Sequence, residues 1–333
     1  MDVNDEWTRF IRDDKKNGSD PIAERERAPL ESDSVIPECS PIVISTKTKI
    51  IYLNQPIELF PLFWGLPMIL YDTYQEGIIK KQIKFNFTTK DQVKEFDEQI
   101  AKVSCYKSVT ILNQIDNPTG RVVFKDVRKV DIGLCKKDIL KLKRNEKSAF
   151  YNCFVFIYRL YLEDKFKEVH IKLFNTGKIE IPGIQKEAHV VIIVQRIIDL
   201  LQPYSPTLLS EVTEKQEIIL INSNFTCNYY INRDELYKIL KKKYHIKCSY
   251  DPCSYPGIQC KYKLEKSEVS FMIFRTGSVL IVGKCEDEQL FRIYDFLKNI
   301  FMTEFHAIYE QNFEVIKKKQ KKKIKKLYIL ENK

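Results

Sequence analysis

EVSFMIFRTGSVLIVG, the stretch from Glu268 to Gly283, occurs twice in this chain in slightly different form. The other copy, EVHIKLFNTGKIEIPG, starts 100 positions earlier at Glu168, and the two agree at seven of sixteen positions without a gap. Each copy has two β-rich runs separated by a Thr-Gly turn, a pattern typical of a hairpin. A helical pattern follows each copy, over Glu187–Leu201 and Asp287–Phe301. Since about 100 residues is too long for a solenoid unit, the repeat predicts the duplication of a half-domain.

The elements before the two hairpins are predicted to follow a similar order in both halves. In the second half, a strand, a helix and two strands fall at Glu217–Phe225, Arg233–Tyr244, Lys247–Tyr255 and Gln259–Leu264. In the first half, a strand, a short broken helix and three strands fall at Ile42–Leu53, Ile57–Leu66, Ile69–Tyr74, Gly77–Phe87 and Phe150–Leu162. Two such units predict a two-layer α+β protein.

Residues 88–148 have no counterpart in the second half, so they are predicted to be an insertion in the first repeat. A helix is expected at Asp91–Val103, with strands at Val109–Leu112 and Val122–Phe124. Composition places Asp116 to Gly120 in a turn between these strands.

Composition and charge divide the chain into four segments. We predict a disordered acidic arm over 1–40, a first repeat over 41–201 that includes the insertion, a second repeat over 207–310, and a lysine-rich tail over 311–333. The arm carries a net charge of −5 and the tail +7, so the body holds +8 of the total of +10. A basic body is compatible with a polyanionic partner. The tail suits a nuclear-localisation or nucleic-acid patch, a basic amphipathic helix or a solvated end.

Other features argue against membrane insertion, secretion, catalysis and metal binding. No apolar run reaches the roughly 18 residues of a membrane span, and no basic, apolar signal follows Met1. The nine scattered cysteines indicate reduced thiols in an intracellular protein. His245, Cys248, Cys253 and Cys260 lack the paired spacing of a zinc site. Without a phosphate loop or nucleophile motif, we predict no catalytic residues, no cofactor and no metal.

The two hairpins present different faces. In the second copy one face carries Phe271, Ile273, Val279 and Ile281, and the other carries Met272, Phe274, Leu280 and Val282. In the first copy the helix-side face carries Ile171, Leu173, Ile179 and Ile181, whereas the opposite face carries His170, Lys172, Phe174, Glu180 and Pro182. The second half therefore has either a second buried layer or a surface for an apolar partner where the first half is polar.

Motifs in both halves resemble the TATA-box-binding protein family. Leu173-Phe174-Asn-Thr-Gly177-Lys178 and Ile273-Phe274-Arg-Thr-Gly277-Ser278 are similar to the family's Ile-Phe-x-x-Gly-Lys pattern before the last helix of each repeat. The segment Tyr250-Asp-Pro-Cys-Ser-Tyr-Pro-Gly257 is similar to its Tyr-Glu-Pro-Glu-Leu-Phe-Pro-Gly segment. The resemblance covers 41–87 and 148–310. A chain rich in Lys, Ile and Asn, with only 10 Gly, suggests an AT-rich genome and hence a divergent viral or protist member.

The resemblance implies a saddle of curved antiparallel sheet, backed by helices and made of two imperfect repeats. Its concave face would lie in a widened minor groove of AT-rich DNA, where apolar side chains wedge between base steps and bend the duplex. By position, Tyr255 and Phe274 would be the wedges of the second half and Phe174 one wedge of the first. Its partner falls within Tyr151–Phe154, with Phe154 as our choice. The implied DNA-binding set is completed by Lys178, Met272, Leu280 and Val282.

The chain departs from the family pattern at several implied positions. Glu180 places a carboxylate on the DNA face, which is unfavourable unless Lys172 pairs with it. Asn222 or Asn224 would have to serve for the asparagines of the family's opening strands. Asp251 and Cys253 occupy positions that in the family contact general transcription factor IIB, so a weakened or rewired contact is expected.

We therefore predict a non-enzymatic initiation factor that binds and bends AT-rich double-stranded promoter DNA as a monomer. It is expected to recruit a IIB-like factor and RNA polymerase, in the nucleus or in a viral factory or virion, without membrane association. The alternative is a saddle-fold interaction scaffold of a transcription complex with weak or no DNA binding, which Glu180 and Lys172 favour.

Overall fold

The residues that the structure describes form one antiparallel sheet of twelve strands, which is the frame of the fold. The computed structural model describes residues 36–140, 150–265 and 267–310. The strands are β1 Val43–Tyr52, β2 Gly77–Phe87, β3 Lys107–Asp116, β4 Phe124–Gly133, β5 Cys153–Leu162, β6 Lys165–Phe174, β7 Lys178–Ile184, β8 Glu217–Thr226, β9 Lys247–Ser249, β10 Ile258–Lys263, β11 Glu268–Ile273 and β12 Ser278–Gly283. Their order, β3-β4-β2-β5-β6-β7-β1-β8-β12-β11-β10-β9, makes the sheet continuous across both halves.

The helices of the described residues lie mainly on one face of this sheet. They are α1 Leu59–Gly65, α2 Lys90–Ala101, α3 Lys136–Leu140, α4 Glu187–Leu201, α5 Arg233–Lys242, α6 Asp287–Thr303 and α7 Phe305–Ile308, with 3₁₀ turns at Gln202–Tyr204 and Thr213–Lys215. Apolar residues of all of these α-helices except α3 pack with alternate strand residues into two cores, one in each half. The predicted α+β, saddle-like class is confirmed.

The hairpins β6–β7 and β11–β12 have equivalent registers, as the repeat predicts. Leu173 lies opposite Ile179 in the first, and Ile273 lies opposite Val279 in the second. These four residues are fully buried against the helices. The turn glycines Gly177 and Gly277 both have positive φ, 81° and 80°, which explains why each copy has glycine there.

The same topology surrounds the central pair β1–β8 in both directions. Moving outward from β1 the strands are β7, β6, β5 and β2, and moving outward from β8 they are β12, β11, β10 and β9. A helix follows the central strand and another follows the hairpin in each half. The duplicated half-domain is therefore one five-stranded unit with two principal helices.

The insertion enlarges the first half at the edge of the sheet. Strand β4 pairs with β2 and with β3, so the hairpin β3–β4 extends the sheet beyond β2. In the second half the sheet ends at β9, the strand equivalent to β2. Helix α2 begins with a capping box between Thr89 and Gln92, and its Phe96 and Ile100 join the first core.

Several sequence-based boundaries need correction. Residues 69–74 form turns rather than a strand, and the strand predicted to reach Tyr255 ends at Ser249. Residues 36–40, assigned to the acidic arm, pack on the second half instead. Cys39 is buried in the second core, and the backbone N–H of Ser40 donates to Thr226 at 2.8 Å. The rest of the arm and the lysine-rich tail lie outside the described residues.

Two lysines of β1 connect the centre of the sheet to the long helix of each half. The Nζ of Lys47 lies 2.9 Å from the carboxylate of Asp287, the first residue of α6. Lys49 pairs with Glu187, the first residue of α4. A carboxylate in the first turn is also favoured by the helix dipole. These repeat-related contacts hold both helices against the same central strand.

Lys81 makes the stability of the first half depend on pH. Its side chain is 4% exposed, and its Nζ donates to the carbonyl oxygens of Phe63 (2.7 Å) and Leu66 (2.5 Å). Burial lowers the pKa of Lys81 from 10.5 to about 8. Between these values the unfolded chain binds more protons than the folded chain, so the free energy of unfolding contributed by this residue rises with pH, by at most ~1.4 kcal/mol per pH unit.

Lys81→Met is therefore expected to flatten the rise in stability of the wild-type protein from about pH 8 to about pH 10.5. Urea unfolding of both proteins across this pH window measures how the free energy of unfolding of each depends on pH. Subtracting one from the other removes the contributions of the titratable groups that both proteins share. Equal slopes for the two proteins would contradict the assignment.

Candidate nucleic-acid interface

The face of the sheet opposite the principal helices, here called the underside, carries an apolar strip in the second half. Met272 lies opposite Leu280 across the hairpin, and both are partly exposed. Leu280 in turn lies opposite Asn224 of β8, and Val282 opposite Asn222. Because directly opposed residues share a face, these five side chains form one continuous surface beside the centre of the sheet.

Polar groups frame this strip on both sides. On the central strands, the amide of Asn222 donates to the hydroxyl of Thr46 (3.0 Å) and that of Asn224 to Ser45 (2.8 Å). On the outer strands, the register places Lys247, Lys261 and Lys263 on the underside, all exposed. The second half therefore combines an apolar strip with amides on one side and lysines on the other.

Phe274 and Tyr255, the predicted wedges of the second half, are adjacent but differ in accessibility. Their ring centroids are 6.1 Å apart, and Phe274 is fully buried while Tyr255 is partly exposed. A Cβ atom at Gly257 would lie 2.9 Å from the Phe274 ring, so this glycine permits the close packing. The hydroxyl of Tyr255 lies 3.3 Å from the sulfur of Met272, and burial raises the pKa of Tyr255 to about 12. Tyr255 is thus the accessible ring of the pair.

Asp251 and Cys253, the predicted partner-contact residues, lie at the surface of the same loop. Both are exposed, and a carboxylate oxygen of Asp251 accepts the backbone N–H of Cys253 at 3.0 Å. Hydrogen bonding by Ser254 and then by the backbone of Cys253 lowers the pKa of Asp251. The loop therefore presents a fixed negative charge near neutral pH.

The underside of the first half is polar where that of the second half is apolar. Lys172 and Glu180 occupy the positions of Met272 and Leu280, and the Lys172 Nζ lies 2.6 Å from a carboxylate oxygen of Glu180. The pairing with Lys172, on which a carboxylate at this position depends, is therefore present. Phe174 is partly exposed, and the Nζ of Lys178 lies 5.3 Å from its ring centroid.

Phe154, our choice for the second wedge of the first half, does not lie on this surface. It pairs with Leu173 on the helix side and is fully buried in the first core, so the assignment is wrong in this register. The equivalent residue in the second half is Ile258, which pairs with Ile273. Ile258 lies three residues after Tyr255 in the sequence. Three residues before Phe154 is Tyr151, so Tyr151 is the first-half residue equivalent to Tyr255, and it is 54% exposed.

Part of the first-half underside is covered by two segments that have no equivalent in the second half. Residues 67–76 and 134–140 are here called the underside cover. Cys135 of this cover forms a small buried cluster with Ile79 and Ile157 of the sheet, separate from the main cores, and Ile69 and Tyr71 pack against it. Ile157 lies opposite His170 on the face away from the helices, so this cluster is on the underside. The sequence contains no periodic pattern over 67–76 that would have predicted this packing.

Charged contacts fasten the underside cover to the sheet. Arg159, which is 8% exposed, donates to the carbonyl oxygens of Tyr71 (2.5 Å) and Thr73 (2.6 Å). Lys80 of β2 lies 2.7 Å from the carboxylate of Asp138 in α3. The backbone N–H of Lys136 donates to Glu168 at 3.0 Å. The rows around Lys172 and Phe174 are not covered by these two segments, because both residues are partly exposed.

The described residues place neither a metal cluster nor a membrane helix near this surface. Within 36–140, 150–265 and 267–310, no group of three or more His, Cys, Asp or Glu residues could hold a metal ion. No helix of these ranges is both long and apolar enough to cross a bilayer.

Cys248 and Cys260 oppose each other on β9 and β10, and their mutual hydrogen bond lowers the pKa of Cys248 and raises that of Cys260.

Comparisons with known proteins agree with the motifs in the second half. The family model for "Transcription factor TFIID (or TATA-binding protein, TBP)" matches residues 219–302. The TATA-box-binding protein-like protein of Acanthamoeba polyphaga mimivirus is 22% identical over 334 aligned positions, covering 88% of this chain and 87% of the relative.

More distant similarity extends to archaeal proteins. The TATA-box-binding proteins of Sulfurisphaera tokodaii and Sulfolobus acidocaldarius are 25% and 26% identical to this chain over the aligned region. That region covers 39% of this chain and 59% of each relative. The solved structure of Methanococcus jannaschii TBP aligns with 80% of this chain and 99% of its own, with 14% identity and a TM-score of 0.43.

The fold and the site define a duplicated α+β protein in which one continuous antiparallel sheet has helices on one face and an apolar strip on the other. The comparisons support a divergent protein similar to the TATA-box-binding proteins, since residues 219–302 match the family model and a mimivirus relative of that description aligns along most of the chain.

Proposed function

We propose that the protein is a non-enzymatic transcription initiation factor that binds AT-rich promoter DNA in the minor groove and bends it, in the nucleus or in a viral factory. The observation that carries this proposal is the strip of Met272, Leu280 and Val282, which offers apolar contact area beside hydrogen-bonding amides. A minor groove of A·T pairs presents only acceptors and lacks the guanine amino group, so it suits such a surface. The exposed lysines of β9 and β10 would neutralise the flanking phosphates.

Tyr255 is the ring that we expect to enter between base steps. Tyr255→Ala is expected to lower affinity for an AT-rich duplex about tenfold and to reduce the bend, because unstacking needs an apolar wedge. Fluorescence transfer between the ends of a labelled duplex, at two salt concentrations, measures both effects. Phe291→Ala is the matched control, since Phe291 is 49% exposed on α6 in the same half but on the helix side.

The outcome of this assay separates three classes of protein. Bending that is lost in Tyr255→Ala and kept in Phe291→Ala supports minor-groove wedging. Binding without bending, with steep salt dependence and no effect of Tyr255→Ala, would indicate a merely basic protein. No binding would favour an interaction scaffold, the alternative that the Lys172–Glu180 pair and the underside cover support.

Recruitment of a IIB-like factor and RNA polymerase is proposed through the loop that carries Asp251 and Cys253. Asp251→Lys is expected to weaken a complex with the cognate IIB-like factor about tenfold, because it reverses an exposed charge. Association measured with the protein bound to DNA tests this, with Asp234→Lys as a control at another exposed acid of the second half. Equal affinities of Asp251→Lys and wild type would contradict the assigned contact.

A further inference from the structure

A row of lysines and aromatic rings crosses the open part of the first-half underside. Lys129 of β4 lies opposite Lys84 of β2. Continuing the β2–β5 register from Gln82 and Val155 places Lys84 opposite Cys153, which in turn lies opposite Phe174 of β6. Lys178 follows on β7 at the other side of the hairpin turn. Together with the ring of Tyr151, these residues form what we call the cation–aromatic row: Lys129, Lys84, Tyr151, Phe174 and Lys178.

The rings of this row lie directly beside positive charge. The Nζ of Lys84 is 3.4 Å from the ring centroid of Tyr151, and that of Lys178 is 5.3 Å from Phe174. In the adjacent row, Lys172 lies 5.8 Å from the ring of Phe150, which is 64% exposed. Two exposed aromatic side chains next to each other in sequence, Phe150 and Tyr151, are costly in water unless they meet a partner.

The pattern differs from the second half at the same places. There the ring equivalent to Phe174 is fully buried, and the positions of Lys172 and Glu180 are the apolar Met272 and Leu280. In the first half, beyond Lys172 and Glu180, the underside cover hides Ile157 and Arg159. The accessible surface around Lys172 and Phe174 is therefore polar except for its rings, rather than a broad apolar face for a duplex.

We propose that the cation–aromatic row binds single-stranded nucleic acid, with unstacked bases against Tyr151, Phe174 and Phe150 and phosphates against the lysines. Every base has a π-face, and each stacked base on an aromatic ring contributes substantially to binding without regard to sequence. Lysines beside the rings follow the backbone. The nearby carboxylates of Glu180 and Asp131 are each within ion-pair distance of a lysine, Lys172 at 2.6 Å and Lys129 at 3.7 Å, which limits their repulsion.

This site does not depend on duplex bending by the second half, and the two can be measured in the same samples. Fluorescence anisotropy of the full chain with labelled oligodeoxyuridylate, oligouridylate and an AT-rich duplex gives the three affinities. Tyr151→Ala is expected to weaken binding of the single strands about tenfold. Duplex bending is measured in the same samples, because Tyr151 also falls at the first-half position equivalent to the wedge Tyr255.

Tyr74→Ala provides the matched control, because Tyr74 is 82% exposed in the same half and packs edge-on against Phe166 at 4.6 Å instead. Single-strand binding that is lost in Tyr151→Ala but kept in Tyr74→Ala supports the site, and the tighter of the two oligonucleotides identifies the preferred sugar. Absence of single-strand binding by the wild type would overturn the proposal. So would binding that Tyr151→Ala leaves unchanged, or a loss of duplex bending as large as the loss of single-strand binding, which would make Tyr151 a duplex wedge.

Discussion

Leu280→Glu is expected to abolish binding and bending of an AT-rich duplex. Leu280 lies at the centre of the apolar strip, between Met272 and Asn224. A carboxylate there would face base edges and phosphates across a desolvated contact, which costs several kcal/mol, or on the order of a hundredfold or more in affinity. The repeat shows what such a residue requires, because Glu180 at the equivalent position of the first half is paired with Lys172. Met272, the equivalent of Lys172, supplies no charge.

Leu280→Gln separates charge from shape, because glutamine is isosteric with glutamate and neutral. We expect Leu280→Gln to retain measurable bending. The double variant Leu280→Glu/Met272→Lys pairs the carboxylate but should not regain the bend, since the strip is then polar. Affinity and fluorescence transfer on the same duplex measure these differences. Wild-type bending by Leu280→Glu would remove the strip from the interface and support the scaffold alternative.

The repeat explains why much of the fold could be predicted. Two gapless copies determine which hairpin residues are equivalent, and strict alternation separates their faces, so the burial of Ile171, Ile179, Phe271 and Ile281 follows from sequence alone. The pairing of Lys172 with Glu180 follows from the same alternation and the hairpin register. Local pattern and tertiary packing agree at these positions.

The wedge residues were harder to predict because their positions depend on neighbouring strands. In an isolated run such as Tyr151–Phe154, the sequence does not show which residues face the underside until the partner strand is known. Pairing with β6 places Phe154 on the helix side of the sheet. Phe274 alternates onto the underside, but the loop that ends at Gly257 folds back over it. Burial of an aromatic ring by a loop is not encoded in hairpin periodicity, and neither is the underside cover.

The burial of Phe274 changes which substitution tests the interface. Phe274→Ala would remove a fully buried ring, which typically costs ~3–5 kcal/mol of stability. A loss of DNA binding in that variant would therefore report unfolding of the loop as readily as a missing contact. Partly exposed Tyr255 and Leu280 are better probes, since they leave the second core unchanged.

Gly277→Ala is expected to destabilise the second half by ~3 kcal/mol or more. Gly277 has a φ of 80°, where an L side chain itself costs ~1–2 kcal/mol. A Cβ atom there would also lie 2.3 Å from the carbonyl oxygen of Tyr229, a backbone atom that cannot rotate away. The hairpin turn and the segment before α5 would therefore have to separate. Because the apolar strip is built on both strands of this hairpin, the substitution would also disturb the strip. Urea unfolding followed by circular dichroism measures the loss.

Gly183→Ala is the matched control for the steric part of this effect. Its φ of 83° carries the same backbone cost, but a Cβ atom at this position meets nothing within 4 Å. We therefore expect Gly183→Ala to cost only ~1–2 kcal/mol. Gly177→Ala repeats the experiment in the first half, because its Cβ would lie 2.4 Å from the carbonyl oxygen of Gln55. Similar losses for all three variants would mean that φ alone requires glycine. A larger loss for Gly177 and Gly277 means that each repeat keeps this glycine so that a second backbone segment can pack against its turn.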